Sequence, residues 1–534
     1  MAATEPFPSP PTKVKEPKSL TSATAICLFA LAILVPTIAD YGITWDEANP
    51  NFPAARKQEK WFRTLLTTGH GLNEADVRAG FETESDHPSL PRTWMALSRL
   101  VLPKSIPDRV AFALPTSVAV ALFSWCFFLY LKRRFDWPAA MGGTLLLILH
   151  PRWYAHSHFA EYDVPIAIAW WLAAVTFYRA NDESIGAREA WVRSLWAAFF
   201  FGLALSIKVH AFFLPFPLIL WSLLFNKRGA WRWMIASAVV APLVYIATQP
   251  VLWWDTVDRL SKRFLDYSVK DPINVFYLGK LYEGNLPWHY PWVLLAVTMP
   301  VFFLVFSAIG LARWGRELTG RMWGLELFGW LSFLGFNAVA IPLVFSWHSP
   351  YDGIRLLLVS LPFLAMFAAV GIEWGQLLLA RAFDVSARSI SAGMVAFAIA
   401  AQGWSCYVYH PFQLSFYSDF LGGVRGATRL GFESTYWCDG ITDDGLRLLA
   451  RILPGKSNIA THAMDAEVLL ERKRAGTIPE GWTFNAAEPV NARIIQFRQG
   501  FFGPLERKLL DSDRPIFLEE EVQGAPLVRV YAGP

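Results

Sequence analysis

YGITWDEAN, residues 41–49, follows directly on the apolar run 21–39 and sets two adjacent carboxylates, Asp46 and Glu47, just past its end. An acidic side chain at the centre of a bilayer costs on the order of a few kcal/mol, so a pair at the end of a span is either solvated or lines a polar site. Whether the preceding run is a span is answered by the whole chain. Its 534 residues are 54% hydrophobic and only 17% charged, with a mean hydropathy of +0.31. A soluble domain carries about a quarter charged residues, so this chain reads as a polytopic membrane protein. The 25 Trp fit that class, because indole rings favour the membrane interface. The net charge of +4 calls for no nucleic-acid reading, since the basic residues gather in particular loops.

Apolar runs suited to helical spans fall near 21–39, 110–131, 137–150, 163–178, 192–208, 211–225, 232–248, 291–312, 325–346, 354–377 and 389–407. The fold class is therefore mainly α, with about 11 transmembrane helices. The third run is short for about 30 Å of hydrocarbon, so it is expected to be re-entrant or completed by polar residues packed inside protein. The first lacks a cleavage site and reads as a retained span rather than a signal peptide. With the N-terminus inside, alternate loops collect Lys132, Arg133 and Arg134; Arg179, Arg188 and Arg193; Lys227, Arg228 and Arg232; Arg313, Arg316 and Arg321; and Arg381 and Arg388. The short loops on the other side hold little more than Arg152, Lys208 and Arg355. This bias places the N-terminus in the cytoplasm and the C-terminus outside the plasma (inner) membrane.

Three segments divide the chain. Residues 1–20, rich in Pro and Lys, read as a disordered cytoplasmic tail, and 21–407 form the membrane module, with long external loops at about 40–109 and 249–290. Beyond 408 hydropathy falls, and short β-like runs appear at 458–461, 492–497, 515–518 and 527–531. Helical patterning at 444–452 and 464–473 makes 408–534 a small soluble α/β domain outside the membrane. Cys27, Cys126, Cys406 and Cys438 show no metal-ligand spacing.

On this topology the unusual polar residues share the external face. Asp86, His87 and Arg92 lie in SDHPSLPRTW; His150, Arg152, His156, His158, Glu161 and Asp163 in HPRWYAHSHFAEYDVP; Lys208 and His210 end the fifth span; His348, Asp352 and Arg355 lie in WHSPYDGIR. ATP is absent outside, and no GxxxxGK[ST] motif cradles a phosphate. Group transfer there needs a pre-activated donor delivered by the membrane, of which a polyprenyl-phosphate sugar is one. Such a reaction needs a carboxylate to take the acceptor's proton and positive charge, from Arg, Lys or a metal, for the departing phosphate.

The motifs TWDEA (44–48), HPSLPR (87–92), HPRWYAHSHFAEYDVP (150–165), GLALSIKVHA (202–211), LPWHYPWVLL (286–295), YDGIRLLLVSLPFLA (351–365), YHPFQLSFYSDFLGGVRGA (409–427) and GFESTYW (431–437) resemble, in order, the GT-C superfamily of membrane glycosyltransferases. The resemblance is to the bacterial type of its protein O-mannosyltransferase-like group. It implies a polyprenyl- or dolichyl-phosphate-sugar donor, an inverting single displacement and a protein, glycan or lipid acceptor. On it, Asp46 is the general base, Glu47 its neighbour and Asp163 the second catalytic carboxylate. Arg355 and then Lys208 would bind the donor phosphate, with Asp86, His87, Arg92, His150, Arg152 and His348 in support. The 250–290 loop has no room for a soluble MIR-type insertion, and HPSLPR lacks the Glu-Lys pair of aminoarabinose transferases. No cofactor is specified, and a divalent metal is left open. The rival class is a transporter or flippase of lipid-linked substrates, which would carry charges deep in several spans and paired broken helices; neither is evident.

Overall fold

The computed structural model describes residues 17–83, 87–182, 184–225, 230–268, 273–284, 286–318, 351–383, 386–487 and 489–533. The expected ninth span at 325–346, most of the N-terminal tail, Asp86 and His348 lie outside the described residues. Each of the other ten apolar runs coincides with helix. Six helices are long and apolar enough to cross a membrane, and Trp137–Ile148, Val209–Leu223 and Val301–Arg313 are shorter apolar helices. The first helix begins at Pro17, inside the stretch expected to be tail. Proline is tolerated at that position because its missing N–H is one of the donors a helix start leaves unpaired.

Three of the spans are interrupted, each for a local reason. Trp137–Ile148 is only 12 residues, about 18 Å long, and stops where His150 precedes Pro151, with extended backbone (ψ 116°) at His150. The chain continues as a short helix, Pro151–His156, and then a loop to Tyr162, buried throughout. The short span is thus completed by polar sequence inside protein. The run expected as one span at 291–312 is two helices, Tyr290–Thr298 and Val301–Leu318, because Met299, before Pro300, is extended (ψ 137°). The helix Ala187–Ile207 ends at an extended Lys208 (φ −150°, ψ 135°), and the chain resumes as a tight turn of helix over Val209–Phe213.

The helix Leu361–Phe383 runs through the middle of the bundle. Its closest neighbour is Val301–Leu318, and the two backbones meet at a pair of glycines. A Cβ on Gly310 would collide with the carbonyl of Phe367, and one on Gly371 with that of Phe306. Small residues allow such approach where lipid supplies no hydrophobic drive for helix association.

The first long loop, after the first apolar helix, folds into helices Phe52–Thr68, Glu74–Phe81 and Leu90–Val101. The second holds the helix Thr256–Ser268 and a hairpin of β1 (Val275–Tyr277) and β2 (Lys280–Tyr282). The C-terminal domain is a five-stranded mixed sheet of β3 (Asn458–His462), β4 (Thr483–Phe484), β5 (Ala492–Gln496), β6 (Ile516–Val522) and β7 (Ala525–Ala532), in the order β4-β3-β5-β7-β6. β3 is parallel to β4 and β5, whereas β7 is antiparallel to β5 and β6. On its inner face Ile459, Ile494 and Val530 pack against Leu446 and Leu449 of the helix Asp443–Ile452 and Val468 and Leu469 of the helix Glu467–Arg474. Four strands fall on the four β-like runs, and both helices lie where the patterning put them.

This domain does not stand apart. Its core is continuous with Ile38, Ile43, Phe52, Met95 and Phe112 at one end of the membrane module. Arg56 of the first loop donates to both oxygens of Glu471 at 3.0 and 2.6 Å. The Trp45 N–H bonds the carbonyl of Trp437 at 2.9 Å. All four cysteines are free.

The glycine contact gives a direct test of bundle packing. Gly371→Val is expected to destabilise the detergent-solubilised protein by about 2 kcal/mol or more, read as a lowered unfolding midpoint. An unchanged midpoint would mean that the two helices are not held at this crossing.

Candidate functional site

Two of the helix interruptions, and a turn before Arg355, each deliver one charged side chain to the same place. Asp163 opens the helix Asp163–Ala180, where a negative charge is favoured by the helix dipole. Capping is done by its neighbour: the Glu161 carboxylate accepts the backbone N–H of Asp163, and that of Val164 at 3.0 Å. Asp163 is thereby left free to point inward. Lys208 projects from the break after Ile207. Asp352 sits in a left-handed turn (φ 57°) with Gly353 (φ 63°), directly before the helical segment that starts at Arg355. Gly353 is required by space as well as by φ, since a Cβ there would lie 2.6 Å from Arg152 Nη1 and 2.9 Å from the Tyr436 ring.

Arg355 is the hub. Its Nη2 donates to Asp46 Oδ2 at 2.5 Å, its Nε to Asp163 Oδ2 at 3.1 Å and its Nη1 to Asp352 Oδ2 at 2.9 Å. Its guanidinium also lies 4.4 Å from the centre of the Trp437 ring. The second oxygen of Asp163 takes Lys208 Nζ, and the second oxygen of Asp352 takes Arg498 Nη2 at 2.6 Å. Three carboxylates and three cations therefore form one connected network. Burial is uneven across it. The side chains of Asp163, Arg355 and Lys208 are at most 5% exposed, whereas Asp46 is 24% exposed and forms the open end. Lys208 and Arg355, which snorkelling to the interface would explain nearly as well from sequence, are instead turned inward onto Asp163.

The structure thus brings together Asp46, Asp163, Arg355 and Lys208 and leaves the other expected residues around them. Glu47 is fully buried and turned into the fold, accepting the Thr44 N–H at 2.9 Å, the Thr44 hydroxyl at 3.0 Å and the Ala160 N–H at 2.7 Å. It ties the Asp46 loop to the Asp163 loop. Burial pushes its carboxyl above the ordinary range, with partial relief from Arg109. Arg92 donates to the Thr83 hydroxyl at 2.9 Å and to the carbonyls of His87 and Pro88. The His87 ring packs on Tyr162, 5.0 Å between centres. His150 is buried beside Phe303 and caps the helix Pro151–His156. Arg152 lies against Gly353, donates to the Phe416 carbonyl at 3.1 Å and faces the Tyr417 ring at 4.9 Å.

Arg498 was not among the sequence-derived candidates. It comes from the C-terminal domain, where no motif marks it, and its guanidinium lies 4.0 Å from the Phe501 ring centre. A lone arginine after a strand carries no signal until the sheet is docked on the membrane module.

His156, Glu161 and Asp163 offer the closest approach to a metal-ligand set among the described residues, with donor atoms within 4.8 Å of one another. Here both Asp163 oxygens hold cations, and both Glu161 oxygens accept backbone N–H groups. Burial and the Asp163 charge push the Glu161 carboxyl well above its usual range. His156 Nδ1 has no hydrogen-bond partner among these three, while Asp163 is paired with Lys208 and Arg355.

The family model described as dolichyl-phosphate-mannose-protein mannosyltransferase matches residues 86–254, a segment holding Asp163 and Lys208 but neither Asp46 nor Arg355. The fold is similar to that of ArnT from Cupriavidus metallidurans in the apo state, at 11% identity and a TM-score of 0.53, covering 96% of this chain and 98% of that one. ArnT from the same organism bound to undecaprenyl phosphate matches at 11% identity and a TM-score of 0.52, over 96% and 97% of the two chains. The Archaeoglobus fulgidus oligosaccharyltransferase tethered with an acceptor peptide aligns at 12% identity and a TM-score of 0.49, over 88% of this chain and 64% of that one. No curated protein matches the sequence. The family model covers less than half of the chain, and the likeness to ArnT is one of fold.

Two expectations follow from the charges. Arg498→Ala removes one of the two cations on buried Asp352 and is expected to cost about 3 kcal/mol. Unfolding in detergent measures the loss, and Arg498→Lys should restore part of it. Burial lowers His156 and His158 to about 3. Between that value and the ordinary 6.5 the unfolded chain binds more protons than the folded one, so stability falls as pH drops through this window. The unfolding midpoint from pH 7 to 4 should decline less steeply in His158→Gln than in the parent; identical slopes would remove His158 from the account.

Proposed function

We propose that the protein transfers a sugar from a polyprenyl-phosphate donor to an acceptor at the external membrane face, by a single inverting displacement with Asp46 as general base. The observation that carries this reading is the single guanidinium of Arg355 bridging a part-exposed Asp46 and a buried, doubly paired Asp163. Asp163 holds Lys208 and Arg355 side by side, and two fixed cations are what a departing phosphate needs. Asp46 faces the open end, where an acceptor hydroxyl can arrive. When the donor phosphate takes the Nη2 edge of Arg355, Asp46 loses its cation and becomes the stronger base. Asp46 then removes the hydroxyl proton, the acceptor oxygen bonds to the anomeric carbon, and the bond from that carbon to the phosphate oxygen breaks. The polyprenyl phosphate leaves on Arg355 and Lys208. This scheme derives no step through a metal. Undecaprenyl phosphate bound to a protein of the same fold fits this donor class.

The C-terminal domain and Asp46 belong to one side of the membrane in this reading, because Arg498 reaches Asp352 directly. With the positive-inside bias, that side is extracytoplasmic, and the N-terminus lies inside. The plasma (inner) membrane is the location that bias implies.

The test is transfer from a panel of polyprenyl-phosphate sugars, read by the mass added to acceptors. Asp46→Asn is expected to lose about 100-fold or more in kcat while still binding undecaprenyl phosphate; Arg355→Ala should weaken that binding. Full transfer by correctly inserted Asp46→Asn and Asp163→Asn proteins would overturn the mechanism. Movement of lipid-linked substrate across vesicles with no sugar-transfer product would overturn the activity.

A further inference from the structure

A cleft of about 280 Å³ opens between the helices Asp108–Lys132 and Asp163–Ala180, at the ends remote from the Asp46 cluster. Arg179 lies 16 residues along its helix from Asp163, roughly 24 Å at the helical rise. The cleft has two chemically distinct parts. Its walls include Trp125, Leu129 and Trp171, and its rim carries Arg133, Arg179 and Arg193.

The rim is over-supplied with positive charge. Arg193 is committed, donating to the Arg179 carbonyl at 2.7 Å and pairing with Glu189. Arg179 is repelled by Arg133, Arg193 and Arg134. Asp182 interacts with Arg179 and Arg193 and offsets part of their charge, its carboxylate accepting the N–H and hydroxyl of Ser184 at 3.0 and 2.7 Å, but one acid does not balance the arginines around it. Among the described residues, no carboxylate lies within ion-pair distance of Arg133 or Arg179. Like charges held together around an apolar slot lower their energy when an anion enters between them. Arginine suits that role, since its planar fork binds phosphate oxygens in pairs.

We infer that this cleft binds one anionic glycerophospholipid, with its phosphate between Arg133 and Arg179 and an acyl chain against Trp125, Leu129 and Trp171. Charge complementarity selects an anionic headgroup over a zwitterionic one. The apolar walls select a lipid over a free anion. The site lies at the other end of the membrane helices from the sugar-transfer cluster and does not depend on the function proposed for that cluster. It sits where the positive-inside loops meet the headgroups.

Native mass spectrometry of the full-length protein in detergent tests this, with phosphatidylglycerol and phosphatidylcholine as probes. The parent protein is expected to retain one phosphatidylglycerol at about tenfold lower lipid concentration than phosphatidylcholine. The double variant Arg133→Ala, Arg179→Ala should bind the two lipids equally, and Arg133→Lys, Arg179→Lys should keep most of the preference. An Arg447→Ala protein, changed at an exposed arginine of the C-terminal domain, serves as the control and should keep all of it. Equal binding of both lipids by the parent, or an unchanged preference in the double alanine variant, would overturn the site. Inorganic phosphate displacing the lipid at equal concentration would overturn the assignment to a lipid. Since the alanine pair could perturb folding, its unfolding midpoint with and without phosphatidylglycerol supplies a second readout: the parent midpoint rises with the lipid and the variant's does not. A rise of equal size in both would count against the site.

Discussion

A guanidinium buried to 3% exposure within a membrane protein can exist there only if its charge is answered at once. Burying an isolated ion costs many kcal/mol, and removing one partner from a buried pair is strongly destabilising. Arg355 meets that constraint with Asp46, Asp163 and Asp352, and each buried partner then needs an answer of its own. Lys208 supplies it for Asp163, and Arg498 supplies it for Asp352. The chain of requirements ends at Asp46, the one member open to solvent, whose excess charge can be met by water or by a ligand. Charge balance therefore explains both why the cluster is closed on three sides and why its fourth is open.

The same constraint accounts for the way the helices break. An uninterrupted span would turn Lys208 or Asp163 toward lipid or into an apolar helix contact. The extended backbone at Lys208, the turn at Asp352 and the short helix before Asp163 each aim one charge inward. Glu161 takes over the exposed N–H groups at the start of its helix, so Asp163 can bind cations rather than its own backbone. Glu47 does comparable work between the Asp46 loop and Ala160. Carboxylates one or two residues from the cluster are spent on holding loops, and those in it on holding charge.

The C-terminal domain belongs to this arrangement rather than being appended to it. Its sheet shares a core with the first long loop, and Arg56 and Glu471 join the two by a forked ion pair. Arg498 can reach Asp352 only because that docking is rigid. At the opposite membrane face the balance is reversed, with arginines left in excess around an apolar cleft, and a lipid anion is the partner available there.

Much of this was legible in the amino-acid order alone, for physical reasons. Hydropathy reports transfer into hydrocarbon, which is local, so ten of eleven spans coincide with helix among the described residues. Alternating and helical periodicity reports one-sided burial, which placed the strands and helices of the C-terminal domain. Proline and its neighbour mark breaks, although the break at Met299–Pro300 within an apolar run passed unread. Asp46, Asp163, Lys208 and Arg355 could be picked out because charges beside apolar runs are costly and need a reason. Their pairing could not, because Arg355 meets Asp46 across 309 positions and Asp163 across 192. Only the family resemblance separated Asp46 from Glu47, adjacent carboxylates of which one reaches the hub and the other binds the backbone. Arg498 lay beyond reach for the same reason: an ion pair is decided by where two chain segments dock, and docking is a property of the packed whole.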